Sequence, residues 1–354
     1  MQSFQVGILG ATGAVGQKFV RLLEDHPWFE IKVLGASKRS AGKKYKKAVH
    51  WIEPTELPGD IGELKVKECE PKQFSNVDFV FSGLDSSVAE GIEKRFAKAG
   101  FPVISNAKNH RMHDQVPLLV PEVNSDHTEL IKKQNFSDDG SGWIVTNPNC
   151  VSIPLSMSLK PLHDAFGIES VVVTSMQSTS GAGYPGVASL DIVANVVPYI
   201  GGEEPKVQTE PTKVLGTLAD NSIIFNDFTI QATAVRVPTI EGHLLSVAVK
   251  LKNPLQNIME AQNAFTNWNN PIAELDLPSS PDNPIRLYTE NRYPQPRLHA
   301  DREGGMQTAV GRLREGTVMD IGYVTMAHNT IRGAAGGAIL NAELLAAKGY
   351  LNED

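Results

Sequence analysis

The chain predicts an α/β protein in two parts, a parallel-sheet half followed by an α+β half with a mostly antiparallel sheet. Three observations predict it. Up to residue 150, short β-branched runs alternate with helical patterns. Beyond it, the runs alternate or are apolar throughout, the texture of a sheet covered by helices. At 354 residues the chain also exceeds one ordinary core, so two domains are the leading expectation.

In chain order, the first strands are FQVGILG, EIKVLGAS, VDFVFSGL, FPVISNA, VPLLVPEV and WIVTNP. Between the first two, Val15, Phe19, Leu22 and Leu23 share one face at helical spacing, so the unit reads strand, glycine turn, helix, strand. The polar loop QNFSDDGSG (134–142) marks a seam near the domain boundary. Leu155, Leu159, Leu162 and Phe166 predict a helix just after Cys150. IESVVVTSMQ, FTIQATAVRV and HLLSVAVKL then supply strands, and residues 267–297, rich in Pro and Asn, predict an irregular surface excursion. A last helical pattern with a small-residue start stops at Gly349. The expected division is 1–149, completed by a helix over 329–354, and 150–328.

Hydrophobic and charged contents of 41% and 21% are those of a soluble protein, and no apolar run is long enough to span a membrane. A net charge of -7 argues against a dedicated nucleic-acid binder. Two cysteines make no disulfide framework, and the first ten residues enter a strand without a leader pattern, so a cytoplasmic setting is expected.

GILGATGAVG follows a strand and opens a helix, the place of a dinucleotide fingerprint. Gly10 would allow the tight turn, Gly13 the approach of a pyrophosphate to backbone N–H groups, and Gly16 close helix packing. At the end of the second strand, where an NAD reader would carry an acid, stand Ser37, Lys38, Arg39 and Ser40. These suit a 2′-phosphate, so NADP is expected over NAD.

TNPNCVSIP places Cys150 where a turn meets a helix. A helix N-terminus with Asn149 as its cap would lower the thiol pKa, whereas an isolated cysteine such as Cys69 is usually a small core residue. Three further stretches fit the same site. SMQSTSGAGYPG ends a strand in a glycine loop whose N–H groups, with the Gln177 amide, would hold an oxygen or a nicotinamide ring. AVRVPTIEGHLL sets Arg236 at the end of one strand and His243 at the start of the next, a carboxylate fork and a general base. EPTK sets Glu210 and Lys213 on one helix face. A nicotinamide cofactor, a thiolate, a base and an anion site point to aldehyde oxidation or acyl reduction through a thioester.

GATGAVG, NPNC, QSTSGAGYPG, EPTK, RVPTIEGH and HNTIRGAAGG, in this order over essentially the whole chain, resemble the aspartate-β-semialdehyde dehydrogenase family, most of all its archaeal and fungal branch. The resemblance implies a Rossmann-type NADP-binding domain and a catalytic and dimerisation domain. It implies Cys150 as nucleophile, His243 as acid and base, and Gln177 as the group orienting the acyl intermediate. It implies Arg236 for the substrate carboxylate, Glu210 for its ammonium, and Lys213 with Arg111 for phosphate, with Asn149 beside them. To the cofactor it assigns Thr12, Ala14 and Val15 of the turn, Ser82, Gly83 and Asn106 behind it, Ser180, Gly181 and Gly183 of the loop, and Asn329.

The implied reaction is the NADPH-dependent conversion of L-4-aspartyl phosphate to L-aspartate 4-semialdehyde and phosphate, feeding lysine, methionine, threonine and isoleucine synthesis. The implied partner is a second copy of the chain, as a homodimer or homotetramer, and no metal, membrane or nucleic acid is expected. An acyl-CoA reductase of the same fold, such as a malonyl-CoA reductase, is the near alternative, with N-acetyl-glutamyl phosphate reductase further off. A non-catalytic NADP-binding protein is the alternative from another class.

Overall fold

A computed structural model describes residues 3–351. The first sheet is wholly parallel and holds β1 (Phe4–Leu9), β2 (Phe29–Ala36), β3 (Lys67–Glu68), β4 (Phe79–Ser82), β5 (Val103–Ser105) and β6 (Ile144–Thr146). Its order, β3-β2-β1-β4-β5-β6, reverses direction between β1 and β4. A crevice forms at such a reversal, beyond the carboxyl ends of the strands, and the glycine turn lies at its lip. The expected strand VPLLVPEV is reduced to a single bridge, Leu118 to Thr146, before a short helix at Pro121–Asn124. Pro117 and Pro121 donate no N–H, so a longer ladder is not available there.

The second sheet opens with β7 (Ile168–Gln177), after which β8 (Thr217–Leu218) and β9 (Ile223–Ile224) make a small separate hairpin. It is completed by β10 (Thr229–Arg236), β11 (His243–Leu251), β12 (Ile285–Tyr288), β13 (Thr308–Glu315) and β14 (Ile321–Ala327), in the order β10-β7-β11-β14-β13-β12. Its three central pairings are antiparallel, but both edge pairings, β10 with β7 and β12 with β13, are parallel. The sheet is therefore mixed, where a mostly antiparallel one was expected. Part of the 267–297 excursion is also ordered as β12 on the sheet edge.

Three apolar clusters hold these layers together. The helix Ser152–Phe166 buries Ile153, Leu155, Leu159 and Leu162 against Val171, Val173, Leu245 and Val247 of the second sheet. One face of the first sheet packs Phe74, Val80, Phe96 and Val103. The other joins Ile8, Phe19, Phe79 and Phe81 to Ile339, Leu340, Leu344 and Leu345 of the helix Gly336–Ala347, from the far end of the chain. Of the expected helix over 329–354, residues 331–335 form a π-turn leading into that helix, and 352–354 lie outside the described residues, as do 1 and 2 of the first expected domain.

Candidate active site

The turn after β1 is built as its glycines require. Gly10 has φ +77°, and a Cβ on Gly16 would lie 2.2 Å from the Gly10 carbonyl oxygen. Gly83 closes the turn from behind, since a Cβ on Gly10 would meet its carbonyl oxygen at 2.8 Å. The helix Ala14–Leu22 has neither a side-chain cap nor an acid in its first turn, which leaves its N–H groups for an anion. Beyond β2, Ser37, Lys38 and Arg39 are exposed while Ser40 is buried, and among the described residues no carboxylate pairs with Lys38 or Arg39. Ser82 turns inward instead, its hydroxyl donating to Glu93 at 2.6 Å.

From this turn a cavity of about 800 Å³ runs to Cys150, past Ala14, Val15, Asn106, Arg111, the Thr179–Val187 loop and Asn329. Asn106 Nδ2 is buried without a partner, and its Oδ1 accepts from Asn147. A bare anion cradle, unpaired cations at the second strand and an orphaned amide donor fit a dinucleotide carrying a 2′-phosphate.

Strand register assembles the chemistry. Gln177 and Arg236 are partners at the shared C-terminal ends of β7 and β10, and antiparallel β11 begins at His243 beside them, one residue before the Leu244–Met176 pair. Gly181 of the following loop lies over both: a Cβ there would come within 3.1 Å of His243 Nε2 and of an Arg236 terminal nitrogen. Arg236 donates to the Ser178 carbonyl at 2.7 Å. Gln177 Nε2 donates to Ser175 Oγ and to Glu203.

The helix after Cys150 is assigned from Ser152, but Val151 already has helical φ/ψ and the Asn149 carbonyl accepts the Ile153 N–H at 3.1 Å, so the helical bonds start at Asn149. Asn149 caps it as expected, its Oδ1 accepting the Val151 N–H at 2.8 Å. The expected lowering of the thiol pKa is reversed. Burial first, then the charge of Glu203, pushes Cys150 up to about 12, against the opposing pull of Lys206, Arg111 and Arg236. Cys69 is pushed up to about 11, also by burial. Burial followed by Arg236 drives His243 down to about 3, so the resting pair is a neutral thiol and a neutral imidazole.

Glu210 and Lys213 stand apart from the cavity. The Glu210 carboxylate accepts from Arg111 at 2.9 Å and from the Asn149 N–H at 2.6 Å. Lys213 gives its ammonium to three carbonyls of one loop, Arg111, His113 and Val116, at 2.8, 2.7 and 2.9 Å. Three donors meet three acceptors, so none is left for phosphate, and only Arg111 of the expected pair reaches the cavity. Burial pushes Lys213 down to about 8.

Sequence reasoning missed Glu203. Its carboxylate accepts from the Asn149 amide at 2.9 Å, from Gln177 and from Lys206, and burial raises its pKa less than Lys206 and Asn149 lower it, so it stays ionised. An acid in the first turn of a helix is an ordinary helix start, which hid it. Ser178 and Glu241, joined through Asn329 and Ser180, were missed as well.

Two family models match the chain, the semialdehyde dehydrogenase NAD binding domain over residues 5–131 and the semialdehyde dehydrogenase dimerisation domain over 159–332. An aspartate-semialdehyde dehydrogenase of Archaeoglobus fulgidus is 47% identical, with 97% of this chain and 98% of the relative covered. The one from Schizosaccharomyces pombe is 46% identical over 98% and 99%. The crystal structure of the Candida albicans aspartate semialdehyde dehydrogenase with NADP superposes with a TM-score of 0.92 at 40% identity, covering 99% of this chain and 100% of that one. The Vibrio cholerae aspartate semialdehyde dehydrogenase II complexed with ASA gives 0.75 at 27%, over 98% and 99%. The chain belongs to the aspartate-semialdehyde dehydrogenase family.

Proposed function

We infer that this chain reduces L-4-aspartyl phosphate to L-aspartate 4-semialdehyde with NADPH, releasing phosphate, and runs the reverse reaction when supplied with semialdehyde, phosphate and NADP. The observation that carries this reading is the convergence of Cys150, His243, Gln177 and Arg236 at one sheet end, beside a cavity that begins at the glycine turn. Bound along that cavity, the cofactor supplies or takes the hydride.

Cys150 Sγ bonds to the acyl carbon as the bond from that carbon to the phosphate oxygen breaks, and the thiol proton passes to His243. Gln177 turns one of the two amide hydrogens it gives to Ser175 and Glu203 toward the acyl oxygen, and Arg236 pairs with the α-carboxylate as a planar fork. Glu203 supplies negative charge for the substrate ammonium, with Glu210 set back from the cavity, holding Arg111 and the Asn149 N–H behind it. Arg111 takes the phosphate, and Lys213 shapes the loop that presents it. When the semialdehyde leaves, His243 takes the hydroxyl proton of the thiohemiacetal and returns one to sulfur. The turn from Gly10 to Gly16, with Gly83, Asn106, Ser180, Gly181, Gly183 and Asn329, holds the dinucleotide.

The test is absorbance at 340 nm with L-aspartate 4-semialdehyde and NADP: signal that requires phosphate supports the reading, and a flat trace from folded, NADP-binding protein rejects it. Malonyl-CoA with NADPH should give no turnover. Lys38 and Arg39, exposed and without a carboxylate partner among the described residues, are assigned to the 2′-phosphate. Replacing both with Ala should raise KM for NADP by roughly 10- to 100-fold and leave KM for NAD nearly unchanged.

The proposed division is 1–149 with the last helix and 150–328, and it is supported by the two large sheets, each drawn from one side of it, β1–β6 before and β7 with β10–β14 after. The exposed Leu190, Val193, Val196, Tyr199 and Ile240 support assigning this face to a second copy, to be checked by light scattering as twice or four times the 38.4 kDa chain mass. Among the described residues no helix is long and apolar enough to cross a membrane, and the assigned setting is the cytoplasm.

A further inference from the structure

His243 is wholly buried, and its Nε2 has no hydrogen-bond partner. At its other nitrogen, Nδ1, both groups within reach belong to Ser178: the backbone N–H at 3.1 Å and the hydroxyl oxygen at 3.0 Å. The backbone N–H can only donate. With Nδ1 accepting it, the ring proton sits on Nε2, and a ring in that form cannot take the proton of a thiol. For Nε2 to be bare, or for the ring to carry a second proton, Nδ1–H needs an acceptor, and among the described residues the Ser178 hydroxyl is the one side-chain oxygen in place.

That hydroxyl is free to accept because its own hydrogen has another destination, Asn329 Oδ1, at 2.9 Å. The Asn329 amide is fixed in orientation. Its Oδ1 also accepts the Gly242 N–H at 2.9 Å, and its Nδ2 donates to Ser180 Oγ, whose hydrogen goes to Glu241 at 2.7 Å. Turning the amide over would set a donor against a backbone donor.

We propose that Ser178, held by Asn329, is a positioning residue whose hydroxyl lets His243 carry a proton on Nδ1, and thereby lets Nε2 accept and return the Cys150 proton. This rests on the reaction inferred for the site and deepens it. In the step concerned the S–H bond breaks, its electron pair stays on sulfur and the proton goes to Nε2. Nδ1–H then donates to Ser178 Oγ, the ring giving up the bond it accepts from the Ser178 N–H, and Ser178 O–H donates to Asn329. The charged and titratable groups facing the ring are Arg236, Glu203 and His328. None of them is removed by changing Ser178.

The experiment compares wild type with Ser178→Ala and Ser178→Thr in two assays. In phosphate-dependent NADPH formation, Ser178→Ala should lower kcat by about tenfold or more with KM for semialdehyde little changed, and Ser178→Thr, which keeps a hydroxyl, should recover most of it. In alkylation of Cys150 by iodoacetamide at pH 7, followed by peptide mass spectrometry with Cys69 as internal reference, Ser178→Ala should slow the reaction and Ser178→Thr should not. Equal kcat and equal alkylation rates in wild type and Ser178→Ala would overturn the proposal. So would equal losses in both variants, which would assign the effect to packing. The alkylation arm needs no substrate, so it decides the role of Ser178 even if the wild type fails to turn over aspartate semialdehyde.

Discussion

Cys150→Ser should reduce phosphate-dependent NADPH formation by at least about 10⁴-fold while the protein still folds and binds NADP. Sulfur has two duties in the inferred reaction, attack on the acyl carbon and departure from the thiohemiacetal, and a serine hydroxyl is poor at both near neutral pH. The change is nearly isosteric. Gly333 approaches the cysteine so closely that a Cβ there would meet the Cys150 Cβ at 2.7 Å, and an oxygen in place of sulfur leaves that contact intact. Circular dichroism and NADP titration should therefore match wild type. Activity within tenfold of wild type would remove Cys150 from the chemistry.

Arg236→Leu should have the second largest effect, on substrate use. Removing one partner of a buried charge contact costs about 2 to 5 kcal/mol, or roughly 30- to 5,000-fold in kcat/KM. Arg236→Lys should rescue little of this, because a point charge cannot replace a planar fork that also holds the Ser178 carbonyl. An aldehyde without the α-carboxylate should lose far less between wild type and Arg236→Leu. If both substrates fall equally, Arg236 shapes the loop and does not recognise the carboxylate.

The legible parts of this molecule were those where one local rule dominates. The glycine turn could be read because Gly10 and Gly16 admit no other residue, and its position between β1 and a helix identified a dinucleotide crevice. Arg236 and His243 could be paired because the turn between β10 and β11 is short enough to keep both at one end of the sheet. Reading failed where distant groups decide. A helix N-terminus argues for an acidic thiol, but burial and Glu203, more than fifty residues on, outweigh it at Cys150. The EPTK pattern puts Glu210 and Lys213 on one helix, yet the carbonyls that consume Lys213 come from a loop about a hundred residues earlier. The parallel edges of the second sheet were hidden for the same reason, since a strand pattern shows which faces are buried and not the direction of its neighbour.

The helix Gly336–Ala347 closes the larger core of the first sheet, although the whole second sheet is encoded before it. A ribosome adds roughly 5 to 20 residues per second, so β1 to β6 emerge many seconds before their last covering layer exists. Through that delay Phe19, Phe79 and Phe81 lack the aliphatic neighbours they have in the finished protein. The nucleotide-binding half of this chain is thus encoded ahead of the second sheet and completed after it.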